Sequence, residues 1–125
     1  FGLTVDILIP ASVTDVINDK NKNKIKAKII VEGANIPMSE AVEDELFRRG
    51  ILIVPDLIAN AGGVISSYAE SLGYSPKQML ALVERKIIRG VKLVLEKSIR
   101  TKQNPRLTAL LLAQKEIDDA GQKIS

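Results

Sequence analysis

Histidine and cysteine are both absent from this sequence. Without cysteine there is no disulfide framework, no thiolate nucleophile and no thiolate metal site. Without histidine the commonest general base and the commonest zinc ligand are gone. Acid–base chemistry would fall to Lys, Asp, Glu or Tyr. Aromatic residues make up only 3%, so Ile, Val, Leu and Ala must fill the interior. No apolar run reaches the roughly 18 residues of a membrane span, and no secretory signal pattern is visible. A cytoplasmic setting is the expectation, with no membrane partner. The net charge is a modest +3. Few aromatics interleave the basic residues, so no nucleic-acid partner is expected.

What remains is a sequence with 46% apolar and 26% charged residues, ordinary for a globular domain. Its 125 residues suffice for one domain with a real core. Three β-branched runs read as buried strands: Val5 to Ile9, Ala27 to Val31, and Ile51 to Val54. Pro10 ends the first. Thr14 is placed to cap a short helix after it, weakened by Asn18, Asn21 and Asn23. Ser39 reads as an N-cap, with Glu40 and Glu43 in the first turn. Ala41, Val42, Leu46 and Phe47 give that helix an inward face, and Gly50 supplies the stop. Leu57, Ala61, Ile65, Tyr68 and Leu72 recur at helical spacing up to Gly73. Ser75-Pro76 opens a long helix running to about Thr101. Its expected buried stripe is Leu80, Val83, Ile87, Val91, Val94 and Leu95. Gly90 inside it costs about 1 kcal/mol relative to Ala, so a close contact is expected there. After Asn104-Pro105 a last helix runs from about Arg106 to Ala120.

Strands alternating with helical patterns indicate an α/β fold with a parallel sheet. The expectation is a three-strand βαβαβα unit, residues 1–73, followed by long C-terminal helices, residues 74–125. Each strand ends in small or amide residues: Ala11-Ser12, then Gly33-Ala34-Asn35, then Asn60 with Gly62-Gly63. Open α/β sheets bind ligands at the carboxyl ends of their strands. Small side chains allow close approach to the backbone, and asparagine offers both a donor and an acceptor. The same residues also read as strand-to-helix turns whose glycines serve packing. Asn35 also reads as a loop residue tolerating left-handed φ. Ser67 also reads as helix surface, bonded back to its own helix. Lys77, Lys86 and Lys92 read as solvated charges.

Four blocks together resemble one family. They are LIPA at Leu8 to Ala11, EGANIP at Glu32 to Pro37, RGILIVPD at Arg49 to Asp56, and NAGGVISSY at Asn60 to Tyr68. In this order and spacing they look like the C-terminal part of the cofactor domain of the Glu/Leu/Phe/Val dehydrogenases, nearest to the glutamate enzymes. The resemblance implies half of a Rossmann-like parallel sheet. It implies oxidative deamination of L-glutamate to 2-oxoglutarate and ammonia, with NAD or NADP as cofactor. On the matching positions, Ala11, Ser12, Ala34, Asn35 and Asn60 would contact the cofactor. Ser67, seven residues after Asn60, would bind the substrate side-chain carboxylate.

No G-x-G-x-x-G follows a first strand, so the pyrophosphate cradle is not in this sequence. The family's catalytic lysine and aspartate have no counterpart either. The chain begins at Phe1, which reads as a piece of something longer. Taken alone it should not catalyse. The alternative reading is a non-catalytic interaction module. Its partners would be the missing N-terminal part of the enzyme or other copies of itself. Strand Val5 to Ile9 would leave an open apolar edge. Copies are then expected to associate through that edge, or through helices 76–101 and 106–120, as a homo-oligomer. A stable monomer in sedimentation would count against this.

Overall fold

The computed structural model describes residues 1–122. Three parallel strands form one sheet in the order β1-β2-β3: Ile7–Leu8, Ile29–Val31 and Leu52–Val54. Ile29 stands between Ile7 and Leu52, and Ile30 between Leu8 and Ile53. Sequential parallel strands of this kind put all carboxyl ends on one side. The strands are shorter than their apolar runs, because Asp6 O accepts from both Lys28 N and Ile29 N and the ladder begins only there. Ile30 and Ile53, fully buried, form the centre of the core with Ile17, Met38 and Leu46. β1 is an edge strand, and Ile7 and Ile9 stay 52% and 60% exposed.

The first crossover departs from expectation. Residues 9–28 form no α-helix, only a 3-10 turn at Lys22–Lys24. The asparagines divert the backbone into local side-chain bonds. Asn18 Oδ1 accepts from Lys20 N, Asn21 Oδ1 accepts from Asn18 N, and Asn21 Nδ2 donates to Val16 O. Thr14 caps nothing; its hydroxyl donates to the Asn35 carbonyl at 3.2 Å. Asp15 N and Ile17 N then donate to the carbonyls of Ile36 and Pro37. The post-β1 loop is thereby laced to the post-β2 loop.

The helix α1, Glu40–Arg48, is capped by the Ser39 hydroxyl, which accepts from Val42 N. Its inward face is Val42, Glu43 and Leu46, not Ala41, which is exposed. After β3 the expected single helix is two: α2, Asp56–Ala59, and α3, Gly62–Ser71. The break falls at Asn60-Ala61. Leu57, Tyr68 and Leu72 lie exposed, and Ala69 is the buried residue of α3.

Ser75 and Gln78 close a capping box at the start of α4, Pro76–Thr101, satisfying N–H groups left over at a helix start. The buried side of α4 is Leu82, Val94 and Ser98, with Val83, Ile87, Val91 and Leu95 half-buried. Leu80, expected inside, is 64% exposed. Gly90 does meet a close neighbour: a Cβ there would lie 3.3 Å from Ile58 Cγ2 of α2. Lys102, in left-handed conformation, turns the chain into α5, Pro105–Gln122.

Asn35 was open to a left-handed reading, but the left-handed residue is its neighbour Ile36, with φ 47°. A β-branched side chain there is strained by roughly 1–3 kcal/mol. Ile36 is 56% exposed, so little burial offsets the strain. Ile36→Gly is expected to stabilise the chain by about 1 kcal/mol, strain relief less the entropy cost of glycine. Urea midpoints check this; an unchanged or lower midpoint would show that the backbone is relaxed at 36.

Candidate functional site

The carboxyl ends of β1 and β2 open into a groove of about 680 Å³. Ala11, Ser12, Val13, Thr14, Gly33, Ala34 and Asn35 line it. Two backbones approach closely at its base: Ala34 N donates to Pro10 O at 2.9 Å. A Cβ on Gly33 would sit 3.0 Å from Ala11 Cβ, tighter than ordinary van der Waals contact, so the approach of the two loops favours glycine. Four residues singled out in the sequence, Ala11, Ser12, Ala34 and Asn35, are therefore brought together here.

The fifth arrives from β3. Asn60, C-cap of α2, donates from Nδ2 to Asn35 Oδ1 at 2.6 Å. The bond uses one donor and one acceptor. Asn35 Nδ2 and Asn60 Oδ1 remain as a donor and an acceptor on the joined amides, without partners among the described residues. Ser67 does not join them. It is exposed on α3, and its hydroxyl donates to Gly63 O at 3.1 Å. Lys77, Lys86 and Lys92 are exposed, as expected for solvated charges.

Beneath this rim lies a cluster that sequence reasoning did not single out. Arg106, on the first turn of α5, reaches three carboxylates. Its Nε donates to Glu43 Oε2 at 2.6 Å, Nη2 to Glu32 Oε2 at 2.7 Å, and Nη1 to Asp56 Oδ1 at 2.9 Å. Glu32 and Glu43 are fully buried and Asp56 nearly so. Glu32 follows β2, Asp56 opens α2 just after β3, and Glu43 faces inward from α1. Backbone groups complete the cluster. Asp56 N donates to Glu32 Oε2, Ile36 N to Asp56 Oδ2, and Leu57 N to Asp56 Oδ1, each at 2.8 Å. Glu32 Oε1 and Glu43 Oε1 have no hydrogen-bond partner among the described residues.

Three acids share one guanidinium, so the cluster carries excess negative charge if all are ionised. Burial pushes the Glu32 carboxyl up from its ordinary 4.5 to about 7. The Asp56 N–H opposes that rise, the Glu43 charge adds to it, and Arg106 opposes it. Burial likewise raises Glu43 against the pull of Arg106. The signal for the cluster was present but incomplete. Acids at strand ends and on an inward helix face need a cation, yet nothing in the sequence says which of 18 Lys and Arg residues supplies it.

A parallel sheet flanked by helices, with a strand-end groove of small residues and paired amides, is an open-sheet α/β domain, the class whose ligands lie outside the carboxyl ends of the strands. More specifically, the chain belongs to the glutamate/leucine/phenylalanine/valine dehydrogenase family, whose model matches residues 1–123. It is 41% identical over 111 residues to glutamate dehydrogenase of Aeropyrum pernix, covering 82% of this chain and 27% of that one. It is 55% identical over 65 residues to NADP-specific glutamate dehydrogenase of Saccharolobus shibatae, covering 52% of this chain and 15% of that one. Among solved structures, L-tryptophan dehydrogenase of Nostoc punctiforme superposes with TM-score 0.87 at 27% identity, covering 97% of this chain and 36% of that one. The hetero-hexameric glutamate dehydrogenase of Thermus thermophilus, in its leucine-bound form, gives TM-score 0.84 at 28% identity, covering all of this chain and 32% of that one. The chain thus spans about a quarter to a third of relatives that it matches along most of its own length. Among the described residues no helix is long and apolar enough to cross a membrane.

Proposed function

We propose that residues 1–125 are part of the NAD(P)-binding domain of a glutamate dehydrogenase, forming the nicotinamide-side wall of its cofactor groove. The linked amides carry this reading. A carboxamide presents one acceptor and one N–H donor, and Asn35 Nδ2 with Asn60 Oδ1 offers the complement. The small residues Ala11, Ser12, Gly33 and Ala34 leave room for a ribose against the backbone. These groups fit a nicotinamide nucleoside, which when bound supplies hydride acceptance. The chain's own residues would orient the ring and hold it in place. Ser67 would bind the substrate carboxylate only after its hydroxyl turns away from Gly63 O, since a carboxylate needs that O–H as donor. Alone, the chain is expected to be inactive, because it holds no catalytic base and no phosphate loop. The exposed β1 edge and the apolar sides of α4 and α5 would meet the rest of the enzyme or other copies.

A chimera tests this. These 125 residues would replace the matching segment of the Aeropyrum enzyme. The expected product reduces NAD or NADP with L-glutamate. Asn60→Ala should lower kcat/KM about 100-fold by misplacing the ring, and Ser67→Ala should raise KM for glutamate. A folded, assembled chimera that is inert with glutamate, or indifferent to Asn60→Ala, would sink the proposal.

A further inference from the structure

We propose that Arg106 is a positioning residue for the Asn35–Asn60 amide pair, acting through Asp56. The inference rests on the reading of that pair as a nicotinamide contact for its purpose, but not for its mechanics. Both amide-bearing segments converge on Asp56. Its Oδ2 holds Ile36 N, the residue after Asn35. It also begins α2, the four-residue helix whose C-cap is Asn60. Asp56 N is fixed in turn by Glu32 Oε2, three residues before Asn35. One guanidinium binds both acids. The carboxylate of Asp56 claims the Ile36 N–H while the Ile36 carbonyl accepts from Asp15 N, and between them the two bonds hold an exposed Ile at positive φ. That turn presents Asn35 Oδ1 to Asn60.

Without Arg106, Asp56 would face Glu32 and Glu43 with no cation between them. Repulsion and desolvation would then drive its carboxylate toward water. Ile36 N would lose its acceptor, and α2 would lose its anchor. The amide pair would part although neither asparagine had changed. The groups facing Glu32 are Arg106 of α5, Glu43 of α1 and Asp56 of α2. Those facing Arg106 are Glu43, Glu32 and Asp56.

Nitrogen-15 spectra of the 125-residue chain, without ligand, test the coupling. In Arg106→Met, Ile36 N–H should exchange roughly tenfold to a hundredfold faster, the equivalent of one lost bond to a charged acceptor. The Asn60 side-chain amide should move toward its free position. The Leu82 amide, buried in α4, should lose no more protection than the fall in global stability accounts for. Arg106→Lys keeps the charge but not the three-way fork, and should show the same two changes in smaller measure. Should the Met variant fail to fold, the Lys variant decides. A folded variant with unchanged Ile36 exchange and Asn60 resonance would overturn the proposal. Adding nicotinamide mononucleotide to the native chain separates the two readings. If it shifts the Asn35 and Asn60 amides while Arg106 variants leave the pair intact, the site stands and the positioning role falls. If the variants part the amides but the nucleotide shifts nothing, the coupling stands and the ligand reading falls.

Discussion

Arg106→Met is expected to destabilise the chain by about 3–5 kcal/mol, the range for removing one partner of a buried ion set. Methionine fills much of the same volume, so the loss would be electrostatic. Three buried acids would remain, two of them fully out of solvent, with their cation gone. A domain of this size has roughly 5–15 kcal/mol in hand, so the loss would take a large share of it. Asp19, by contrast, is 84% exposed in its bridge to Lys22. Asp19→Asn should cost well under 1 kcal/mol, as exposed pairs do. Urea unfolding of both variants checks the contrast. Equal, small effects would show that the Arg106 set is solvated in solution.

The second large effect is an inverted pH profile. The Glu32 carboxyl titrates near its ordinary 4.5 when unfolded and at about 7 when folded. Between those values the folded chain holds a proton that the unfolded chain releases. Stability from this group is therefore full below pH 4.5 and is lost as pH rises through 7. The span corresponds to about 3 kcal/mol. Glu43, also raised by burial, acts in the same direction. The chain is expected to unfold at lower urea at pH 8 than at pH 5.5. Glu32→Gln should flatten the profile, since its amide oxygen still accepts from Asp56 N while the charge is gone. A native profile that is flat or rises with pH would contradict the assignment.

Much of the fold was legible in local pattern. Three β-branched runs bounded by Pro, Gly and Asn gave the three strands, and Ser39, Ser75 and Gly50 marked helix ends where they are found. These signals act over a few residues, so a linear reading captures them. The first crossover was misjudged because Asn18 and Asn21 bond their own backbone, and because Asp15 and Ile17 donate to the β2 loop. The second of these is a contact across about 20 residues. Leu80 was misjudged because helical spacing gives a stripe but not its phase against neighbours. The stripe that packs is centred on Leu82 and Val94. Ser67 stood at a motif position, yet its hydroxyl is bonded back into α3.

By itself the sequence determined most of the element types, the parallel α/β class and the family, since periodicity, caps and four short blocks are carried in consecutive residues. It also placed small and amide residues at the strand ends. Only the tertiary structure decided that Asn35 and Asn60 bond to each other and that Arg106 gathers Glu32, Glu43 and Asp56. Those pairings join residues 25 to 74 positions apart. A charge has no preferred partner in sequence; the low-dielectric pocket into which folding carries it makes the choice.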